Sequence, residues 1–221
     1  AFTADLSNRL ELGTLIYYSM SLAALVTFLC LILALLGSFV NHYFKTKKTG
    51  IIIRLSSIGY AIPGAIIAIG VLAPLLKVDQ FLDAVQLLNT SIVALTYACV
   101  IRFFAVSYNA MEGVIEKLSS NYPDVCRLTG VSSFKALRKV YLPLGKTGLL
   151  AGAVLVFIDV LKELPLPLIL RPFNYNTFST RAYELAGDEL LQQASIPALW
   201  IVGLGCLALL FVKIIIEKLS F

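Results

Sequence analysis

The chain has 221 residues, of which 59% are hydrophobic and only 14% charged. Soluble domains hold nearer half apolar and a quarter charged residues, so this balance excludes an ordinary soluble globular protein and points to a membrane class. A net charge of +5 would suggest a nucleic-acid partner in a soluble chain, but here the cations concentrate in two connections between apolar runs, which argues for an oriented membrane protein and against nucleic acid.

Five apolar runs are read as spans, at about residues 12–40, 56–76, 84–108, 147–161 and 195–216, several of them reaching the roughly 20 residues that a helix needs to cross the hydrocarbon core. The expected fold is therefore all-α, a polytopic membrane helix bundle embedded in the lipid bilayer. The first run is far longer than a secretory h-region and no small-residue cleavage site follows it, so it is read as a span. The chain starts with Ala1, and a processed or truncated start, or a fragment of a longer protein, is expected. Lys45, Lys47, Lys48 and Arg54 crowd the first connection, and Lys117, Arg127, Lys135, Arg138, Lys139 and Lys146 the third. The second sets Lys77 against Asp79 and Asp83, and the fourth offsets Lys162, Arg171 and Arg181 with Glu163, Glu184, Asp188 and Glu189. The positive-inside rule then places the first and third connections in the cytoplasm, the N-terminus outside and the C-terminus, with Lys213 and Lys218, inside.

Cys30, Cys99 and Cys206 fall in spans and Cys126 in a loop, so no external disulfide is expected. A single histidine, His42, and the lack of a CxxC pair give no structural zinc signature, and no metal site is assigned. Asn41-His42-Tyr43-Phe44 and the lysines after it read as an anchoring edge on span one. In span two, Pro63-Gly64 removes a backbone hydrogen bond from the helix, which makes either a kinked helix lining a path or a packing kink. Arg102 in span three is costly in hydrocarbon unless it snorkels to the nearby interface or finds a partner. Gly148 and Gly152 open span four with a small-xxx-small pattern that suits close helix packing. Gly145-Lys146-Thr147 looks like the tail of a phosphate-binding loop, but Val140 stands where the required glycine would be.

Roughly forty residues separate Tyr108 from Thr147, too many for a simple joint, so the connection needs structure of its own. Pro123 suits the first turn of a short helix after Ser120-Asn121, with Asp124 at the positive end of its dipole. Gly130 supplies the left-handed stop. Ser132-Ser133 is expected to cap a second helix, Phe134 to Val140, ending before Pro143. The result is a compact basic knob suited to docking in another protein's groove.

Asp124-Val125-Cys126, three residues, Gly130, nine residues, Val140, one residue and Leu142-Pro143 together resemble the EAA loop of ABC importer permeases. That family's pattern is Glu-Ala-Ala, three residues, Gly, nine residues, Ile, one residue, Leu-Pro. The glycine, leucine and proline are the same, and the intervals agree. The resemblance implies the type I ABC importer permease (MetI-like) fold, N-out and C-in, with residues 1–221 as one transmembrane domain and residues 109–146 as its cytoplasmic coupling loop. It implies that Asp124 and Gly130 shape the coupling helix, that Val125, Cys126 and Leu128 supply its apolar contact, and that Val140, Leu142 and Pro143 complete the loop. It implies two partner ABC ATP-binding subunits that hold the ATP and Mg²⁺, no cofactor on this chain, no catalytic residue in it, and residence in a bacterial inner membrane.

Phe157-Ile158-Asp159-Val160-Leu161-Lys162-Glu163-Leu164-Pro165, Leu170-Arg171-Pro172-Phe173 and Thr180-Arg181-Ala182-Tyr183-Glu184-Leu185-Ala186 resemble the ferric-iron branch of these permeases, as do Tyr60-Ala61-Ile62-Pro63-Gly64 and Arg102-Phe103-Phe104-Ala105-Val106. At Pro167 and Leu168 the branch has Thr and Leu, so Pro167 is a local departure. The branch implies ferric-iron uptake, a periplasmic or surface ferric-binding protein, and a tandem permease of which this chain resembles the C-terminal half. The second half is then an upstream part of the same protein or another copy. Thiamine, polyamine or phosphonate are alternative cargoes, and an ATP-independent secondary transporter or channel is an alternative class that leaves the loop spacing unexplained. Asp159, Lys162 and Glu163 are expected on one helix face at i, i+3 and i+4, either as carboxylates that attract a hard cation or as a mutually neutralised cluster. With Pro63, Gly64 and Arg102 they form the candidate path or outer gate. Tyr175 and Tyr183 are boundary aromatics that offer phenolate ligands only in principle.

Overall fold

The computed structural model describes residues 2–44, 47–81, 91–117 and 122–219, and every regular element among them is helical. In chain order these are α1 (Phe2–Phe44), α2 (Lys47–Ser56), α3 (Gly64–Phe81), α4 (Ile92–Ile115), α5 (Tyr122–Leu128), α6 (Ser133–Leu144), α7 (Lys146–Leu161), α8 (Pro165–Leu170), α9 (Phe178–Gly187) and α10 (Leu191–Leu219). Among the described residues, four helices are long and apolar enough to cross a bilayer: Glu11–Phe44 within α1, α3, α4, and Leu191–Ile215 within α10. A fifth span requires α6 and α7 together, which meet at a 70° bend.

These boundaries correct the expected spans in three places. The second run does not cross as one helix over residues 56–76. Its first part forms a 3₁₀ turn at Ser57–Ala61, and the spanning helix starts at Gly64 and continues to Phe81. Pro63 therefore stands outside the helix, where its carbonyl accepts from Ile66 and Ile67 at 3.0 and 3.2 Å. A proline without an N–H costs nothing at a helix entrance, whereas inside the helix it would remove a rung. The break in the chain is real, but it separates two elements and does not kink one. Pro74 is the proline inside α3. Third, α4 runs seven residues past Tyr108 to Ile115, so the following connection is shorter than the apolar run suggested. The expected start of this span near residue 84 lies outside the described residues.

The chain divides into two compact units. Unit one comprises Ala1–Val26, Pro63–Cys99 and Phe157–Ala208. Within it α8 lies along α3, and Leu166, Leu170 and Phe178 are fully buried. Thr177 and Thr180 form a reciprocal capping box that starts α9, each hydroxyl accepting from the other's backbone N–H. The same helix start is tied to α1, where the Ser19 hydroxyl accepts from the Phe178 N–H at 2.9 Å.

Unit two comprises Thr27–Ile62, Val100–Val156 and Leu209–Phe221. Its core gathers Phe39 and Tyr43 of α1, Tyr108, Met111 and Ile115 of α4, Cys126 of α5, and Ala136 and Tyr141 of α6. Gly148 and Gly152 let α7 settle directly on α4. A Cβ on Gly148 would meet the Ala110 carbonyl oxygen at 2.8 Å and the Met111 Cα at 3.0 Å, and one on Gly152 the Ser107 Cα at 3.2 Å. Small residues at that spacing permit backbone approach that any side chain would block.

Candidate coupling loop and path residues

The loop folds as two helices around a glycine. Asp124 stands in the first turn of α5, where the dipole favours a carboxylate. Gly130 adopts φ +70°, a left-handed value costly for residues with a Cβ. The Val131 N–H reaches back to the Cys126 carbonyl at 3.0 Å, closing the helix end as a Schellman turn. Ser132 occupies the N-cap of α6 in extended conformation but makes no side-chain capping bond.

Two loop expectations require correction. First, α6 does not stop before Pro143. It widens into a π turn over Leu137–Tyr141 and continues through Pro143 to Leu144. A wider turn relaxes the clash between a proline ring and the preceding carbonyls, so the helix survives the residue that was expected to end it. The 70° bend comes afterwards at Gly145, a buried residue whose missing Cβ leaves room for the Met111 side chain. Second, Cys126 does not face a partner. On a seven-residue helix, Pro123 and Cys126 share the inward face and are buried, while Asp124, Val125 and Leu128 point outward. Cys126 is only 6% exposed, against 53% for Val125 and 87% for Leu128. Phe134, 71% exposed, joins the apolar surface of the loop, and Lys135, Arg138 and Lys139 are exposed beside it. Val140 is partly buried against the core, whereas Leu142 and Pro143 are exposed.

The candidate path residues fall in both units, Arg102 in unit two and the others in unit one. Arg102 sends Nη1 to the Ile62 carbonyl at 3.2 Å and lies against the Phe103 ring, so it is engaged within unit two. Asp159 pairs with Lys162 at 2.8 Å, but α7 ends at Leu161 and Glu163 leaves the expected helix face. Its carboxylate turns inward, 7% exposed, and accepts weakly from the Leu166 N–H at 3.4 Å at the entrance to α8. The Ser179 hydroxyl bonds its carbonyl. Gly64 is buried and Pro63 exposed.

Three features escaped the sequence reading. The Arg-Pro-Phe and Tyr-Glu-Leu-Ala segments form an ion-pair lattice, with Arg171 on Asn176 and Glu184, and Arg181 on Glu11 and Glu184. Tyr175 stacks on Tyr18 with ring centroids 4.5 Å apart and donates its hydroxyl to the Tyr18 carbonyl at 2.9 Å. Burial pushes its phenol above the ordinary range. His42 is no simple anchor, because with Ser38 and Asn41 it surrounds Glu112. The i, i+3, i+4 spacing of those three polar residues in an apolar helix was the available signal.

Residues 33–220 match the family described as binding-protein-dependent transport system inner membrane component. The chain belongs to that family. The permease is 26% identical over 198 residues to the Fe(3+)-transport system permease protein FbpB 2 of Haemophilus influenzae, a match that covers 90% of this chain and 37% of that protein. The chain thus spans little more than a third of that relative's length. Its fold is that of a chain of the MetNI methionine ABC transporter in inward-facing conformations, with a TM-score of 0.70, 15% identity, and coverage of 96% of this chain and 97% of that one. The permease is accordingly an all-α, polytopic membrane subunit of the MetI type.

Proposed function

We propose that this chain is the C-terminal half of a ferric-iron permease in a bacterial inner membrane, oriented N-out and C-in. In this reading residues 109–146 receive the opening and closing of a partner ATPase and pass it to the spans. The observation that carries the coupling role is the outward face of α5. A glycine-stopped helix presents Val125 and Leu128 to solvent beside Phe134, and basic Lys135, Arg138 and Lys139 border them. Exposed apolar side chains ringed by charge are the usual composition of a docking patch. The family match supports an importer served by a soluble binding protein, and the FbpB 2 similarity supports ferric iron as cargo.

ATP and Mg²⁺ then belong to two partner ATPase subunits, with no cofactor on this chain. A second permease half completes the complex. The exposed Leu199, Val202, Leu207, Leu210 and Phe211 on α10 offer apolar surface to that half or to lipid. A soluble ferric-binding protein delivers the ion on the opposite side from the loop. Pro63, Gly64, Arg102, Asp159, Lys162 and Glu163 remain candidates for the path or outer gate, Lys162 the most exposed of the three charges around the end of α7.

The test is uptake of radiolabelled ferric iron by iron-starved cells whose intact locus carries either Gly130 or Gly130→Asp, with permease levels matched by immunoblot. Loss of uptake at equal protein supports both cargo and coupling. Undiminished uptake overturns the coupling role of the loop.

A further inference from the structure

Inside unit two, one carboxylate collects the polar groups of a neighbouring helix. Ser38, Asn41 and His42 lie on one face of α1, and all three reach Glu112 of α4. The Ser38 hydroxyl donates to Oε2 at 2.8 Å, the Asn41 amide donates to Oε1 at 3.2 Å, and His42 Nε2 lies 2.9 Å from the same Oε1. The Asn41 amide also donates to the Tyr108 hydroxyl at 3.3 Å. Ser38 is fully buried. A carboxylate near the end of a spanning helix is costly and persists where partners satisfy it. Hydrogen bonds to an ionised group are about twice as strong as neutral ones and, unlike apolar contact, fix register.

The position of Glu112 on α4 gives this arrangement its consequence. Tyr108, Met111 and Ile115, from the same two turns or so of α4, pack in the core that also holds Cys126 of α5 and Ala136 and Tyr141 of α6. This stretch of α4 thus touches the loop helices and Phe39 and Tyr43 of α1 through its apolar face, and α1 again through its carboxylate. An open cavity of about 660 Å³, lined among others by Asn41, Tyr108, Glu112 and Glu116, flanks the network.

We propose that Glu112 is a positioning residue that locks α1 to α4, so that movement received by the loop helices is carried to the first span as well as the third. This rests on the coupling reading of residues 109–146. Apolar contact alone lets helices slide, whereas three donors converging on one carboxylate hold a single register, adding to the Ser107 hydroxyl that donates to the Cys30 carbonyl at 3.1 Å further along the same helix pair.

The experiment uses the whole transporter, permease with its ATPase subunits and binding protein, in liposomes. Spin labels replace Leu36 on α1, which is exposed, and Gly113 on α4, where nothing lies within 4 Å of an added Cβ, in a Cys206→Ala background. The unsubstituted network is expected to give one narrow distance that is the same without nucleotide and in the ATP-trapped state. Glu112→Ala is expected to broaden it and to lower transport per ATP hydrolysed roughly tenfold while ATPase turnover changes by less than about twofold. Glu112→Gln, which keeps the shape and acceptor oxygen, restores part of the narrow distance. An unbroadened distance in Glu112→Ala overturns the proposal, as does a parallel fall of uptake and ATPase activity in proportion to inserted protein. If Glu112→Ala fails to insert, Ser38→Ala with His42→Gln weakens the donor set and leaves the carboxylate, with the same readouts deciding. The distance needs no cargo, and retention of ATPase subunits on the unsubstituted permease is scored separately. Failure of iron uptake or of that retention therefore counts against the proposed function, and failure of the distance change against the lock.

Discussion

The Arg102 guanidinium donates to the Ile62 carbonyl at 3.2 Å, the last carbonyl before Pro63 and the entrance of α3. The 3₁₀ turn ends at Ala61 and Pro63 has no N–H to give, so the chain here cannot satisfy its own carbonyls by continuing as a helix. An arginine from α4 supplies the donor. The same join holds Gly59 against the Ile101 carbonyl, too close for any Cβ.

Arg102→Ala is expected to destabilise the solubilised permease by about 1.5–3 kcal/mol, the usual range for a hydrogen bond from a charged group. Arg102→Lys should recover part of that loss. Pro63→Ala, by contrast, should change stability by less than about 1 kcal/mol, because the residue sits outside the helix. Thermal unfolding in detergent checks all three. A melting point unmoved by Arg102→Ala would show that the carbonyl finds another donor.

The seam between α4 and α7 predicts an asymmetry among glycines. Gly148→Val drives a side chain into the Ala110 carbonyl and the Met111 Cα, backbone atoms that cannot rotate away, so a loss of about 3 kcal/mol or of insertion altogether is expected. Gly113 faces open space on α4, and Gly113→Ala should raise stability by up to about 1 kcal/mol through helix propensity. Parallel thermal melts of the two variants measure the contrast.

Much of this was legible in the sequence because membrane spans and glycine stops are local. Gly130 needs no tertiary knowledge to be read as a helix terminator, and its φ of +70° follows from its place after α5. Which side of α5 faces the core was not legible. Seven residues carry too little periodicity to separate Cys126 from Val125 and Leu128, and only the packing of α5 on Tyr108, Met111 and Tyr141 decides it. The same limit applies at Pro143, since a proline signals a helix end unless a π turn makes room, and at Glu163, which lies past the end of α7 and off its face. The Ser38, Asn41, His42 and Glu112 network joins residues some seventy positions apart, a pairing that periodicity within one helix does not report.

The outward face of α5 separates docking from folding. Leu128→Asp is expected to abolish retention of ATPase subunits on the purified permease and leave its stability within about 0.5 kcal/mol of the parent, because Leu128 is almost wholly exposed. Leu128→Ala should weaken retention roughly tenfold, as for a central apolar anchor. Cys126→Asp should do the reverse in order, lowering stability first through a buried charge. Thiol labelling with a maleimide gives an independent check. Cys126 is buried and should label slowly in the folded permease and faster once it unfolds.

Tyr175 makes the permease sensitive to alkali in a defined direction. Its phenol is raised by burial and its hydroxyl donates to the Tyr18 carbonyl, so folding favours the protonated form. The stabilisation is complete below the unfolded tyrosine value of about 10 and is lost as pH rises from there through the higher folded value. Tyr175→Phe should cost about 1 kcal/mol at neutral pH, the worth of one hydrogen bond. It should also flatten the alkaline decline, because the substituted ring has no proton to lose. Melting temperatures of parent and variant across pH 8 to about 11.5 should therefore converge as pH increases. A constant gap would mean that the hydroxyl contributes nothing that ionisation can remove.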